Sequence, residues 1–132
     1  MRLKLFLTTL VAFLGIDALW LGLVAPSFYQ SQIGYIMTKN PNLLAAGIFY
    51  LLFVFGMLTF VVEPGVREQT LLRAVGRGAL FGLVTYATYD LTNLATLEGW
   101  PVLVTVVDLA WGTFLSAATT LVSVWAGKRF IR

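Results

Sequence analysis

Four apolar runs, each long enough to cross a lipid bilayer, take up nearly all of this 132-residue chain and leave it little else to fold into. They cover about 3–25, 43–62, 74–97 and 101–126. A spanning helix needs about 20 mainly apolar residues, because at 1.5 Å per residue that length matches the ~30 Å hydrocarbon core. Inside that core every backbone N–H and C=O must be satisfied within its own segment. The expected fold is therefore all-α: an integral-membrane four-helix bundle, one transmembrane domain over 1–132. Composition agrees, with 59% hydrophobic and 11% charged residues, against about 25% charged in soluble domains.

Prolines and polar clusters punctuate the runs. Pro26 ends the first; Asn40, Pro41 and Asn42 lead into the second, which Glu63, Pro64 and Gly65 stop; Pro101 opens the fourth. Proline suits a first helical turn or a position just past a helix end, so these residues read as boundaries rather than interruptions. The first run, with Arg2 and Lys4 before it, invites comparison with a secretory signal. It is too long for a typical signal core and carries Asp17, and Pro26 follows its best small-residue exit, so a retained helix is expected. Arg2, Lys4, Arg67, Arg73, Arg77, Lys128, Arg129 and Arg132 fall on one side of the resulting topology and Lys39 on the other. The positive-inside rule then predicts cytoplasmic termini and middle loop, with 26–42 and 98–100 facing outward.

Three aspartates lie inside these runs: Asp17, Asp90 and Asp108. A carboxylate at the centre of a lipid-facing helix costs roughly 2.5–3.5 kcal/mol, so such residues usually face a protein or water-lined interior and mark a binding or proton site. Asp17 precedes Ala25, Asp90 precedes Leu97 and Asp108 follows Pro101 by about two turns each, which puts all three at one depth, roughly 10–12 Å below the outer helix ends. They can converge on one chamber, or each can bond privately to groups in its own helix interface. Convergence is the expectation, since separate sites would incur the membrane penalty three times.

Neighbouring residues favour an inward polar stripe. Ala74, Gly78, Gly82, Tyr86 and Asp90 recur every four residues, and Asn93 follows one turn beyond Asp90. Gly78 and Gly82 form a GxxxG pattern that permits close helix approach. Thr105, Asp108, Gly112, Ser116, Thr119 and Ser123 repeat the idea on the fourth run. Asp17-x-x-Trp20 and Asp108-x-x-Trp111 each set an indole on the face of its aspartate. Candidate ligand- or proton-binding residues are thus Asp17, Asp90, Asp108, Asn93, Tyr86, Trp20 and Trp111; no metal and no cofactor is assigned. Between Pro26 and Pro41, aromatic and apolar residues at 29, 33, 36 and 37 allow a short interfacial helix capped by Ser27 that would roof the chamber, or an aromatic-anchored loop.

The chain has no cysteine and no histidine. That removes disulfides, thiol nucleophiles, histidine-ligated haem, histidine-rich di-iron boxes and histidine-based triads or zinc sites within this chain. The net charge of +3 sits at helix ends rather than in one patch, so nucleic acid is not an expected partner.

Three stretches, Ile16-Asp17-Ala18-Leu19-Trp20-Leu21-Gly22, Tyr89-Asp90-Leu91-Thr92-Asn93-Leu94-Ala95-Thr96-Leu97 and Val107-Asp108-Leu109-Ala110-Trp111-Gly112-Thr113, carry a resemblance. The chain resembles the DUF2177 family of small bacterial membrane proteins, a domain of unknown function. The resemblance covers essentially the whole chain and implies four spans and an inner-membrane location; it lends no activity.

Three classes of function fit these residues. The first is binding of a small molecule or lipid in an aspartate-lined chamber in the outer half of the bundle, with proton-coupled transport as its fullest form, because carboxyl groups crowded in low dielectric cannot all ionise. A four-span protomer needs a second copy to enclose a pathway, so a homo-oligomer or a partner membrane protein goes with this reading. The second is a membrane enzyme or enzyme subunit acting on a lipid or other apolar substrate, with Asp90 and Asp108 as acid and base or as oxygen ligands for a hard cation. The third is a structural subunit whose aspartates pair with another protein. Binding in the outer half is the leading expectation.

Overall fold

The computed structural model describes residues 1–67 and 69–131, and among these there is no strand. Arg132, counted above among the basic residues of one side, lies outside the described residues. Six helices follow in order: α1 (Arg2–Leu23), α2 (Ala25–Ile33), α3 (Leu43–Met57), α4 (Glu63–Arg67), α5 (Leu71–Thr96) and α6 (Val102–Ala126). A 3₁₀ turn at Gly34–Ile36 extends α2, a π turn at Leu58–Val62 joins α3 to α4, and a second π turn at Gly127–Ile131 extends α6.

Three continuous helical stretches are long and apolar enough to cross a membrane: Arg2–Leu23, Leu43–Arg67 and Val102–Ile131. α5 is also long, 26 residues, but its threonines, two arginines and Asp90 make it more polar than the others.

Two expected boundaries need correction. Glu63, Pro64 and Gly65 do not stop the second run: the helix passes through them to Arg67 by way of the π turn. Pro64 sits in the first turn of α4, where a missing N–H costs little. The Phe60 carbonyl, which a residue with an N–H at 64 would serve in an α-helix, instead accepts a 3.0 Å hydrogen bond from Arg77 Nε. Ser27 is not a cap either; α2 begins at Ala25 directly after Val24, with Pro26 in its first turn. Asn42 and Thr70 are the side chains that cap, Asn42 Oδ1 accepting from Ala45 N–H at 3.0 Å and Thr70 Oγ1 from Arg73 N–H at 3.3 Å.

The four-residue stripe of α5 packs in register on α6. A Cβ added to Gly78 would fall 2.1 Å from Thr120 Oγ1, one on Gly82 would fall 2.2 Å from the Gly112 carbonyl oxygen, and one on Gly112 would fall 2.2 Å from the Tyr86 ring. The two backbones are therefore as close as glycine allows. Each step of four along α5 meets a step of four back along α6, and the series Gly78·Thr120, Gly82·Ser116, Tyr86·Gly112 ends at Asp90·Asp108.

The bundle has two unlike halves. At the end carrying both termini, Leu5, Val54, Met57, Leu58, Val61, Val62, Val66, Leu115 and Val124 form a fully buried apolar core. Glu63 gathers the charges there, 2.6 Å from Arg2 and 3.4 Å from Arg67. Phe53, against Phe81 and Tyr86, marks where this core gives way to polar groups. At the far end α2 folds back so that Ile33, Phe28 and Tyr29 pack on Trp100 and Val104. The Tyr35 hydroxyl donates to the Gly99 carbonyl and ties the two far-end connections together. Gly99 adopts φ 76°, which lets the α5–α6 turn reverse tightly.

Candidate functional site

All three aspartates singled out from the sequence are buried in the far half: Asp17 on α1, Asp90 on α5 and Asp108 on α6. The partners of Asp17 come from two other helices. Its Oδ2 accepts from the Tyr50 hydroxyl of α3 at 3.0 Å and its Oδ1 from Trp111 Nε1 of α6 at 3.3 Å. Asp108 Oδ1 accepts from the Tyr29 hydroxyl of α2, and the Trp20 ring packs edge-on against that tyrosine, centroids 6.3 Å apart. The two Asp-x-x-Trp pairs thus cross over. Trp111, three residues beyond Asp108, donates to Asp17; Trp20, three beyond Asp17, packs on the tyrosine that donates to Asp108. The indoles stack between them, centroids 4.6 Å apart and planes 12° from parallel.

Asp90 differs. It is fully buried, and among the described residues neither carboxyl oxygen has a hydrogen-bond donor. Its polar neighbour is the carboxyl group of Asp108, within hydrogen-bonding reach. Two ionised carboxylates are acceptors only, so this contact is satisfied only when the pair holds a proton between them or a donor enters from outside the chain. Tyr86 lies amid the three aspartates, close enough to feel the charge of each.

Two adjoining cavities open here. One, about 250 Å³, is walled by Asp17, Trp20, Tyr29, Tyr50, Asp108 and Trp111 among others. The other, about 340 Å³, runs between α3 and α5 past Phe49, Phe53 and Thr85. Tyr86, Tyr89, Phe49 and Asp108 border both. Phe49 and Tyr89, 49% and 56% exposed, flank the outlet of the second cavity on the side of the bundle.

Of the residues singled out from the sequence, Asp17, Asp108, Trp20, Trp111 and Tyr86 meet around these cavities, and Asp90 backs onto Asp108. Asn93 lines neither of them; it lies one turn beyond Tyr89 on its own helix. The sequence reading missed Tyr29 and Tyr50 as site residues. Tyr50 had a signal, since the main polar group of an otherwise apolar span needs a partner. Tyr29 had only its place in the aromatic connection. Among the described residues, no group of three or more aspartates or glutamates is placed to share a metal ion.

A family model described as "Predicted membrane protein (DUF2177)" matches residues 2–125. No curated protein and no solved structure matches the chain.

Proposed function

The chain belongs to the DUF2177 family of predicted membrane proteins, and from that premise we propose that it binds a small molecule or lipid in the aspartate-lined chamber. In this reading α5 is the fourth span, both termini are cytoplasmic, and the chamber occupies the outer half of a bacterial inner membrane. The observation that carries it is the cavity pair itself: about 250 and 340 Å³ of space bordered by Asp17, Asp108 and a run of aromatic rings. Ligand sites are concave, largely apolar and fitted with a few convergent polar groups. The close fit of α5 to α6 supports its place as a span, and the gathering of Arg2, Arg67, Arg77 and Lys128 at the opposite end supports the orientation. The acceptor pair Asp90–Asp108 suits a proton that comes and goes with the ligand, so proton-coupled transport is the fullest form of the reading.

Orientation is tested by single cysteines at Ser31 and Leu72, both exposed, in this cysteine-free chain. An impermeant thiol reagent applied to intact cells should label position 31 and spare 72; the reverse pattern would invert the topology. Binding is tested by native purification and mass spectrometry of whatever accompanies the protein. The wild type should carry a stoichiometric non-protein ligand that Asp108→Asn loses while still purifying as a folded bundle. Equal recovery of the ligand from both would place binding elsewhere, and a clean wild type would end the reading.

A further inference from the structure

At the end of the bundle away from the chamber, Arg2, Thr59, Glu63, Pro64 and Arg67 wall a further cavity of about 260 Å³. Glu63 is buried and draws both arginines to it: Arg2 Nη1 lies 2.6 Å from its Oε1 and Arg67 Nη2 3.4 Å from its Oε2. Among the described residues, neither guanidinium makes the two-pronged contact that its planar fork can give an oxyanion. Arg2 is also held from α3 and the π turn. Its Nη2 donates to Thr59 Oγ1 at 3.0 Å, and its guanidinium lies over the Phe55 ring, 5.3 Å from the centroid. Both side chains keep an open side, 50% exposed for Arg2 and 61% for Arg67. Two guanidiniums against one carboxylate leave one positive charge over in the cavity wall, with N–H donors to spare.

The depth of this cavity says what meets it. Arg2 begins one candidate span and Arg67 ends another, and the ends of a span lie at the level of the lipid head groups. On the face of α3 that leads away from Thr59 into the span, Phe55, Leu52 and Ile48 are exposed at spacings of three and four residues. The cavity thus sits at the head of an apolar ridge, a pairing that fits a charged group carrying a hydrocarbon chain. Going beyond the chamber reading and independent of it, we infer that this cavity holds the head group of an anionic phospholipid, its phosphate gripped by Arg2 and Arg67 and one acyl chain lying along Phe55, Leu52 and Ile48. A phosphate diester carries one negative charge, which the surplus positive charge of the wall matches, and its oxygens accept from the unused edges of both forks. Glu63 is the positioning residue, holding the two guanidiniums within reach of one another. A zwitterionic phospholipid brings a cation of its own beside two others, and a diacylglycerol brings chains without charge, so both fit less well.

The test titrates the purified, delipidated full-length chain in detergent with dioleoylphosphatidylglycerol, dioleoylphosphatidylcholine and dioleoylglycerol, and counts bound lipid by native mass spectrometry. Phosphatidylglycerol should saturate a single tight site, roughly ten-fold tighter than either of the others, the margin of one charge-assisted contact. Excess inorganic phosphate should not displace it. Arg67→Gln and Arg2→Gln should each lose the margin; they lie on different helices, so a folding failure in one leaves the other to decide. Arg73→Gln removes the same charge from an exposed position in the first turn of α5 that does not border the cavity, and it should keep the margin. Phosphatidylcholine binding as tightly would show that the lipid's charge is not read and would overturn the inference. So would an Arg73→Gln protein that loses as much as Arg67→Gln, because the charge of the whole bundle end would then be acting rather than this cavity. Displacement by inorganic phosphate would make the ligand a free anion and overturn the lipid assignment. Full retention of the margin in the folded Arg67→Gln and Arg2→Gln proteins would place any lipid site elsewhere.

Discussion

Gly82→Leu should give no folded bundle, and Gly82→Ala a bundle weakened by about 3 kcal/mol, the upper end of the usual overpacking penalty. The reason is what the new Cβ meets. At Gly82 it would lie 2.2 Å from the carbonyl oxygen of Gly112 and 2.5 Å from Ser116 Oγ. The first of these is backbone in the middle of α6 and cannot rotate aside, so relief requires the two helices to part. Parting them loosens the whole register, including the Asp90·Asp108 step two turns on. Gly15, Gly22, Gly47 and Gly76 are the internal controls, because a Cβ at any of them meets nothing within 4 Å. Alanine there should leave stability unchanged or raise it by up to about 1 kcal/mol through helix propensity. Thermal unfolding followed by circular dichroism in a single detergent separates the two groups. A Gly82→Ala protein that melts with the controls would mean that α5 and α6 are not packed backbone to backbone.

This glycine contact also shows how far sequence carries. The stripe Ala74, Gly78, Gly82, Tyr86, Asp90 is legible because helical periodicity places every fourth residue on one slowly drifting face, and that face is the one buried. Its counterpart on α6 is legible for the same reason. Their register is not, since nothing local to either helix fixes which turn of one meets which turn of the other. Once that register is set, Asp90 falls opposite Asp108 and the chamber follows. The hydrogen-bond partners were hidden by the same gap. Asp17 is served by Trp111, 94 residues away, and by Tyr50, 33 away, so the face shared by Asp17 and Trp20 brought the indole to the site without revealing which groups bond the aspartate. Pro64 misled for a different reason. Proline reads as a stop because it lacks an N–H, yet a π turn before it and an arginine from another helix take care of the orphaned Phe60 carbonyl. Trp111, in the middle of an apolar helix, finds its explanation in the stack with Trp20 and the bond to Asp17.

Asp90→Asn should keep or raise stability while removing function, the opposite pairing from most buried substitutions. Asparagine has nearly the shape of aspartate, so the fully buried site opposite Asp108 needs no repacking. The carboxyl oxygens it replaces have no donor, so no bond is lost. The new amide brings two N–H donors beside an acceptor-only neighbour, which should contribute about 1–3 kcal/mol where a buried acceptor was left unmade. Tyr29→Phe should do the reverse: the Asp108 oxygen that accepts from this hydroxyl would be left short of a donor, at a cost of similar size. The two variants therefore move thermal stability in opposite directions. In function they should agree, because Asp90→Asn fills with its own amide the position an incoming donor or proton would take, and Tyr29→Phe disturbs the carboxyl group beside it. Copurified ligand should fall in both, and genetic complementation should fail with Asp90→Asn despite normal insertion and yield. An Asp90→Asn protein that complements fully and retains its ligand would show that the carboxyl group has no part in binding, and the aspartates would then be better read as contacts to a partner subunit.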